Sequence, residues 1–341
     1  MICGLKPFNS INHMEEALVA GTSKRVADYM AKPSKFADKA FEWVTFVMAM
    51  TVVVLIILVG WQLSSGASGS VRKFGFGFLT STEWDPVNEQ YGALPFIFGT
   101  LVSSFLALFI AVPLSIATAI YLTELAPGWI RQPIISLVEM LAAIPSVILG
   151  LWGIFVMVPW LLKYPFAWLK NPHHLGWCPL FRGPTYGVSM FAGGAIIAVM
   201  ILPIITSVSR EILISVPNLQ REAAYALGAT RWEVTRIAVL SYARRGLFGA
   251  VILGLGRALG ETMAVTMVIG NRPVISASLL SPGYTLASVI ANEFAEATTD
   301  TYLQALFEIG LVLFAVTIVV NLIARLLLMR FSGESLGRSV Q

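Results

Sequence analysis

Six long apolar segments constrain the fold of this chain more than any other feature. They are Val44–Leu63, Leu94–Leu122, Pro133–Leu161, Gly187–Val208, Leu247–Ile269 and Tyr302–Ala324. Each has about twenty residues or more, enough for an α-helix to cross the ~30 Å hydrocarbon core of a bilayer. Because backbone groups in lipid must hydrogen-bond within the chain, the pattern predicts an all-α integral membrane protein with six transmembrane helices.

The shortage of charge supports lipid as the main solvent. Charged residues make up 12% of the 341 residues, whereas a soluble domain has about 25%. The 23 basic residues are dispersed and the net charge is only +4. A nucleic-acid interface needs a basic face with interleaved aromatic residues, so nucleic acid is excluded as an expected partner.

Loop charges predict the orientation of the spans. Of the basic residues outside the spans, sixteen fall on the side that carries both termini and six on the other side. The positive-inside rule therefore places both termini in the cytoplasm. The predicted domains are a cytoplasmic extension over 1–40, a six-span membrane domain over 41–335 and a cytoplasmic tail over 336–341.

The cytoplasmic loop 215–240 is predicted to form two short helices joined by a sharp corner. Pro217 suits the first turn of a helix, and Gly228 can supply the left-handed residue that ends it. Thr230 and Glu233 have the spacing of a capping box, which starts the second helix. We refer to residues 215–240 as the elbow.

The elbow resembles the EAA loop of ABC importer permeases. The match consists of Glu222, Ala223 and Ala224, followed after three residues by Gly228. The family usually has proline where this chain has Ser241, so the second half of the loop departs from the pattern. In the family this loop docks in a cleft of the ATPase subunit, and the resemblance implies that these four matching residues couple the chain to an ATPase.

The chain is predicted to have no enzymatic activity and no cofactor of its own. It contains no G-x-x-x-x-G-K-[ST] phosphate-binding sequence, so ATP and Mg²⁺ are expected to be used by a partner ATPase. Residues 162–186 are predicted to form an aromatic-rich cap at the external interface. Apart from Cys178, the adjacent His173 and His174 lack further ligands at suitable spacing, and two adjacent rings cannot easily bind one ion, so no metal site is expected there.

A charged pair interrupts the fifth apolar segment. Arg257 lies about 18 Å along the helix from Arg245, where an arginine costs ~2.5–3.5 kcal/mol on insertion scales. Glu261 follows at i+4, which places both on one predicted face with small residues: Ala250, Gly254, Ala264 and Val268. Two roles remain open, a contact for a passing oxyanion and a structural ion pair between helices.

Two other carboxylates lie within apolar segments. Glu139 is predicted to be a second partner of Arg257 or a pathway residue, with a structural role as the alternative. Glu308 lies near the external end of the sixth segment and is predicted to be solvated.

Four segments resemble the phosphate ABC importer permeases, most closely their PstC-like members. They are 74–87, 121–127 (YLTELAP), 143–147 (AIPSV) and 256–271 (GRALGETMAVTMVIGN), and the resemblance covers about 41–335. It implies the type I (MetI-like) importer permease fold and the plasma (inner) membrane of a prokaryote. The implied partners are a PstA-like permease in a heterodimer, an ABC ATPase dimer at the cytoplasmic face and an extracytoplasmic phosphate-binding protein. Phosphate is the implied substrate, and the family's charged pathway pair corresponds to Arg257 and Glu261.

Two alternatives to a phosphate importer follow from the same residues. An importer permease for another oxyanion, such as sulfate or molybdate, would need the same elbow. An autonomous ion-coupled transporter should show an inverted repeat with helices broken at equivalent places, and the sequence contains no convincing repeat.

Overall fold

A computed structural model describes residues 35–170, 177–182 and 186–333 of the chain. Most of the predicted extension 1–40, the tail 336–341 and the pair His173 and His174 therefore lie outside the described residues. The described part is helical, and its β-structure is limited to one isolated bridge between Asp85 and Gln90.

Ten helices are labelled α1 to α10 in chain order. They are α1 (Lys35–Gly66), α2 (Leu94–Ile120), α3 (Gly128–Ala143), α4 (Ser146–Trp152), α5 (Met190–Ile214), α6 (Asn218–Ala226), α7 (Leu240–Leu259), α8 (Met263–Val268), α9 (Leu286–Glu293) and α10 (Asp300–Gly333). Other helical segments lie between them: Ser68–Phe74, Gly77–Thr80, Tyr121–Leu125, Gly153–Met157, Val158–Leu161, Leu162–Phe166, Ala167–Leu169, Pro179–Phe181, Arg231–Glu233 and Val234–Val239.

Six helical stretches of the described chain are long and apolar enough to span a membrane, as the sequence predicts. They are Asp38–Gly66, Leu94–Leu125, Ser146–Leu169, Met190–Ile214, Arg231–Leu259 and Asp300–Met329. The number of spans is confirmed, and two predicted positions are wrong. The third span begins at Ser146 because the helix breaks at Ile144 and Pro145. The fifth begins at Arg231 because the second helix of the elbow, after the corner, runs directly into α7.

Contacts divide the chain into two units, Met1–Trp61 and Gln62–Gln341. In the first unit, the described residues belong to α1, and the side chains from Asp38 to Val59 are exposed. Apolar side chains such as Val54 and Leu55 are half exposed, which suits a helix whose solvent is lipid.

In the second unit, α2, α5 and α7 pack closely because small residues line their contacts. At Gly194 of α5, a β-carbon would lie 2.7 Å from Cδ2 of Leu106 on α2, and at Gly254 of α7 it would lie 2.6 Å from Cδ1 of Ile205. The Ser115 hydroxyl also donates to the Leu202 carbonyl across the α2–α5 contact, at 3.0 Å. Close helix approach through small residues is the usual packing of membrane helices.

Candidate functional site

The fifth apolar segment is a broken helix. α7 ends at Leu259, Gly260 follows as its C-terminal cap, and α8 begins at Met263. The single predicted span Leu247–Ile269 is therefore wrong, and the residues that break it are Gly260, Glu261 and Thr262. In a membrane, non-helical backbone is tolerated where protein or a water-filled cavity surrounds it.

Glu261 lies within this break and holds two broken helices together. Its carboxylate accepts hydrogen bonds from the backbone N–H groups of Thr262 and Ala264 and from the side chain of Ser146. Thr262 is the N-cap residue of α8, Ala264 lies in the first turn of α8, and Ser146 is the first residue of α4. Glu261 therefore links the break in the fifth span to the break before the third.

Arg257 lies in the last turn of α7, where the helix dipole favours a cation. It interacts electrostatically with Glu261, but the ion pairs of the described residues do not join the two side chains. Arg257 is exposed, so its side chain is accessible, as a contact for an anion or a partner would need.

The predicted stripe of small residues and charges is interrupted, because the helix breaks at 260–262. Ala250, Gly254 and Arg257 lie on α7, whereas Ala264 lies on α8 and Glu261 lies in the break between the two helices. Arg257 is exposed, and the three small residues are buried. The prediction of one continuous face is therefore wrong.

Glu139 lies on α3 and its side chain is exposed. Among the described residues it forms no ion pair with Arg257. Of the three predicted pathway residues, the structure brings Arg257 and Glu261 into electrostatic contact and leaves Glu139 apart from that pair.

The elbow has the predicted corner. α6 carries Glu222, Ala223 and Ala224, and Gly228 has a φ of +81° in the left-handed region. The capping box is confirmed, since the Thr230 N–H donates to Glu233 at 2.8 Å and the Thr230 side chain accepts from the Glu233 N–H.

Two details of the elbow differ from the prediction. Pro217 is the residue before α6 and does not lie in its first turn. The helix that begins after Thr230 is not short, because it continues through the π-helical turn Val234–Val239 into α7. A displacement of the corner would thus be carried directly along the fifth span.

Apolar side chains are exposed at the elbow. Leu227 is 90% exposed, and Leu219 and Trp232 are also largely exposed, as is Glu222. An exposed set of large apolar residues around a charged residue is typical of a protein interaction surface.

A partly buried ion pair at the base of the elbow was missed by sequence reasoning. Arg221 Nη2 donates to Glu124 Oε1 at 3.0 Å, although the two residues are 97 positions apart. The helical periodicity of α6 could not have identified Glu124 as the partner. The segment 121–127 was noted only for its family resemblance.

At the opposite end of the spans, Glu293 connects three elements. Its carboxylate accepts hydrogen bonds from Trp84 Nε1 at 2.8 Å, from the Tyr284 hydroxyl at 3.0 Å and from the Tyr302 hydroxyl at 2.6 Å. Burial and the Glu293 carboxylate both raise the pKa of Tyr284. Sequence reasoning identified neither Glu293 nor these aromatic partners.

Two predictions outside the site also need correction. Glu308 is 5% exposed, so it is not solvated, and its Oε2 atom has no hydrogen-bond partner within the described residues. The predicted cap 162–186 is partly wrong, because Leu162–Leu169 continues the third span as helix.

Most of the second unit matches a known protein family. Residues 111–333 match the family model described as binding-protein-dependent transport system inner membrane component.

Curated proteins extend the similarity to nearly the whole chain. The phosphate transport system permease protein PstC of Mesorhizobium japonicum is 45% identical over 324 residues, covering 94% of this chain and 98% of that protein. The protein of the same name from Xylella fastidiosa is 48% identical over 292 residues, covering 84% of this chain and 89% of that protein.

Solved structures share the fold at low identity. A bacterial ABC transporter involved in the import of the acidic polysaccharide alginate matches with a TM-score of 0.56 and 16% identity, covering 86% of this chain and 98% of that chain. An inward-facing MetNI methionine ABC transporter matches with a TM-score of 0.51 and 16% identity, covering 69% of this chain and 94% of that chain.

Proposed function

The chain belongs to the binding-protein-dependent transport system inner membrane component family and, within it, to the PstC-type permeases, and on that basis we propose that it forms half of the translocation pathway for inorganic phosphate. It is a multi-pass membrane protein with the MetI-like importer permease fold. The observation that supports phosphate as the substrate is the near-complete match to relatives named phosphate transport permeases.

The proposed partners follow from the family of the chain and, for the ATPase, from the exposed elbow. The exposed elbow, with Glu222, Ala223, Ala224 and Gly228, fits docking to an ABC ATPase dimer that uses ATP and Mg²⁺. A PstA-like permease would complete the pathway against the second unit, and a phosphate-binding protein would deliver substrate to the end opposite the elbow. Both termini lie on the cytoplasmic side of the plasma (inner) membrane in this proposal.

Arg257 is the proposed contact for phosphate in the pathway. A guanidinium offers planar paired donors that match a tetrahedral oxyanion. Glu261 does not contact the anion in this proposal. Its carboxylate accepts hydrogen bonds from the amides of Thr262 and Ala264 and interacts electrostatically with Arg257. The nearby negative charge weakens anion binding, which allows the ion to leave after it has entered. Glu139, on α3, is proposed to lie further along the pathway.

Reconstitution tests this function. The chain, a PstA-like permease, the ATPase and the binding protein are placed in proteoliposomes, and uptake of labelled phosphate is measured. We expect uptake only when ATP and all four components are present, and competition by unlabelled phosphate but not by sulfate. Uptake without the ATPase, or equal competition by sulfate, would contradict the proposal.

A further inference from the structure

The elbow helix α6 is fastened to the spans through Arg221. The guanidinium donates to the Val216 carbonyl at 2.6 Å and to the Leu213 carbonyl at 2.9 Å. Leu213 lies in the last turn of α5, whose final carbonyls have no partner within the helix. Arg221 therefore caps the end of the fourth span from a position on the next helix.

The same guanidinium reaches a second span. Its Nη2 atom donates to Glu124 in the π-helical turn Tyr121–Leu125, which ends the second span. The Arg221 and Glu124 side chains are only 17% and 14% exposed, the least exposed pair among the ion pairs of the described residues. A pair shielded from water holds a more definite geometry than an exposed one.

Apolar packing lies beneath this ion pair. Ala119 of α2, Leu213 and Val216 from the end of the fourth span, and Val239 and Ala243 from the start of the fifth form one buried cluster. The second, fourth and fifth spans therefore meet at the base of the elbow. The fifth is connected to the elbow through its own backbone, whereas Arg221 is the polar link from α6 to the other two.

We propose that Arg221 and Glu124 act as a clamp that transmits movement of the elbow helix to the second and fourth spans. The inference rests on the proposed function, because it requires an ATPase to move the elbow. Neither residue contacts phosphate or ATP in this account, so both are positioning residues. Loss of the clamp should leave ATP hydrolysis intact and reduce the phosphate transported for each ATP consumed.

The test compares Glu124→Ala with Glu211→Ala in the reconstituted importer. Glu211 is a matched control, because it also forms an ion pair near the elbow, with its neighbour Arg210, but is more exposed and joins no second helix. We expect Glu124→Ala to lower phosphate uptake per ATP hydrolysed by about fivefold or more, the usual range of coupling between sites. ATPase binding in a pull-down should be unchanged, and Glu211→Ala should match the unaltered chain.

A second variant covers the case in which Glu124→Ala fails to insert. Glu124→Cys and Arg221→Cys are combined with Cys3→Ser and Cys178→Ser, and a flexible bifunctional thiol reagent bridges the new cysteines. Bridging should restore part of the lost uptake per ATP. An unchanged ratio in Glu124→Ala, or no recovery on bridging, overturns the clamp. Absence of ATP-driven uptake by the unaltered chain would instead contradict the proposed function.

Discussion

Replacing Glu293 with alanine should loosen the end of the molecule opposite the elbow. The substitution removes the acceptor shared by Trp84, Tyr284 and Tyr302. These donors come from the loop before α2, the loop before α9 and the start of α10. One carboxylate therefore joins the loop around Trp84, 209 positions away, to two segments that lie nine positions on either side of Glu293.

The magnitude follows from the three hydrogen bonds. A hydrogen bond contributes about 1 kcal/mol net, and more when the acceptor is charged, so three bonds amount to at least ~3 kcal/mol. Glu293 is half-buried, so water can replace part of the hydrogen bonding that the three donors lose. We therefore take ~3 kcal/mol as the destabilisation caused by Glu293→Ala. At 1.36 kcal/mol for each factor of ten, local opening should become about a hundredfold more frequent.

Hydrogen exchange of the purified chain measures this opening. Amides in 81–93 and 284–302 should exchange about a hundredfold faster in Glu293→Ala, while amides in α5 keep their rates. Glu296→Ala is the matched control, since it removes the same charge from an exposed residue three positions away. Equal exchange in Glu293→Ala and Glu296→Ala would refute the reasoning.

Three further predictions follow. Glu222→Lys should abolish ATPase binding in a pull-down and ATP-driven uptake, because the substitution reverses a charge on the exposed elbow, and normal binding would contradict the docking role. Gly99→Ala should destabilise the chain by ~1–3 kcal/mol in thermal unfolding, because its β-carbon would lie 1.9 Å from the Tyr284 carbonyl oxygen. Gly249→Ala, with nothing within 4 Å, is the control and should be no less stable. Because burial and the Glu293 carboxylate raise the pKa of Tyr284, its protonated form stabilises the fold below pH ~10 and that contribution is lost as pH rises further. The tyrosinate absorbance that Tyr284→Phe removes should appear only above pH ~10, and its appearance at lower pH would contradict the assignment.

The sequence predicts the class of fold well because hydropathy and length report directly on the solvent. All six spans and the cap at Thr230 and Glu233 are present. Both are local properties, determined by consecutive residues and by i, i+3 spacing. Gly228 was equally predictable, since the end of α6 needs a left-handed residue.

Helix breaks and long-range pairs could not be predicted in this way. The segment around Glu261 is apolar enough to look like continuous helix, and its break is stabilised by Ser146 and by the amides of α8. Arg221 and Glu124 pair across 97 positions, and Glu308 is buried by packing in three dimensions. These features depend on tertiary contacts that leave no periodic signal in the chain.

The proposed pathway requires Arg257 to contact the phosphate anion during transport. The most direct measurement is the initial rate of labelled phosphate uptake by Arg257→Gln in the fully reconstituted importer, alongside ATP hydrolysis and membrane insertion. We expect uptake to fall to background while insertion and ATPase binding stay at the level of the unaltered chain. Full uptake by Arg257→Gln would contradict the claim.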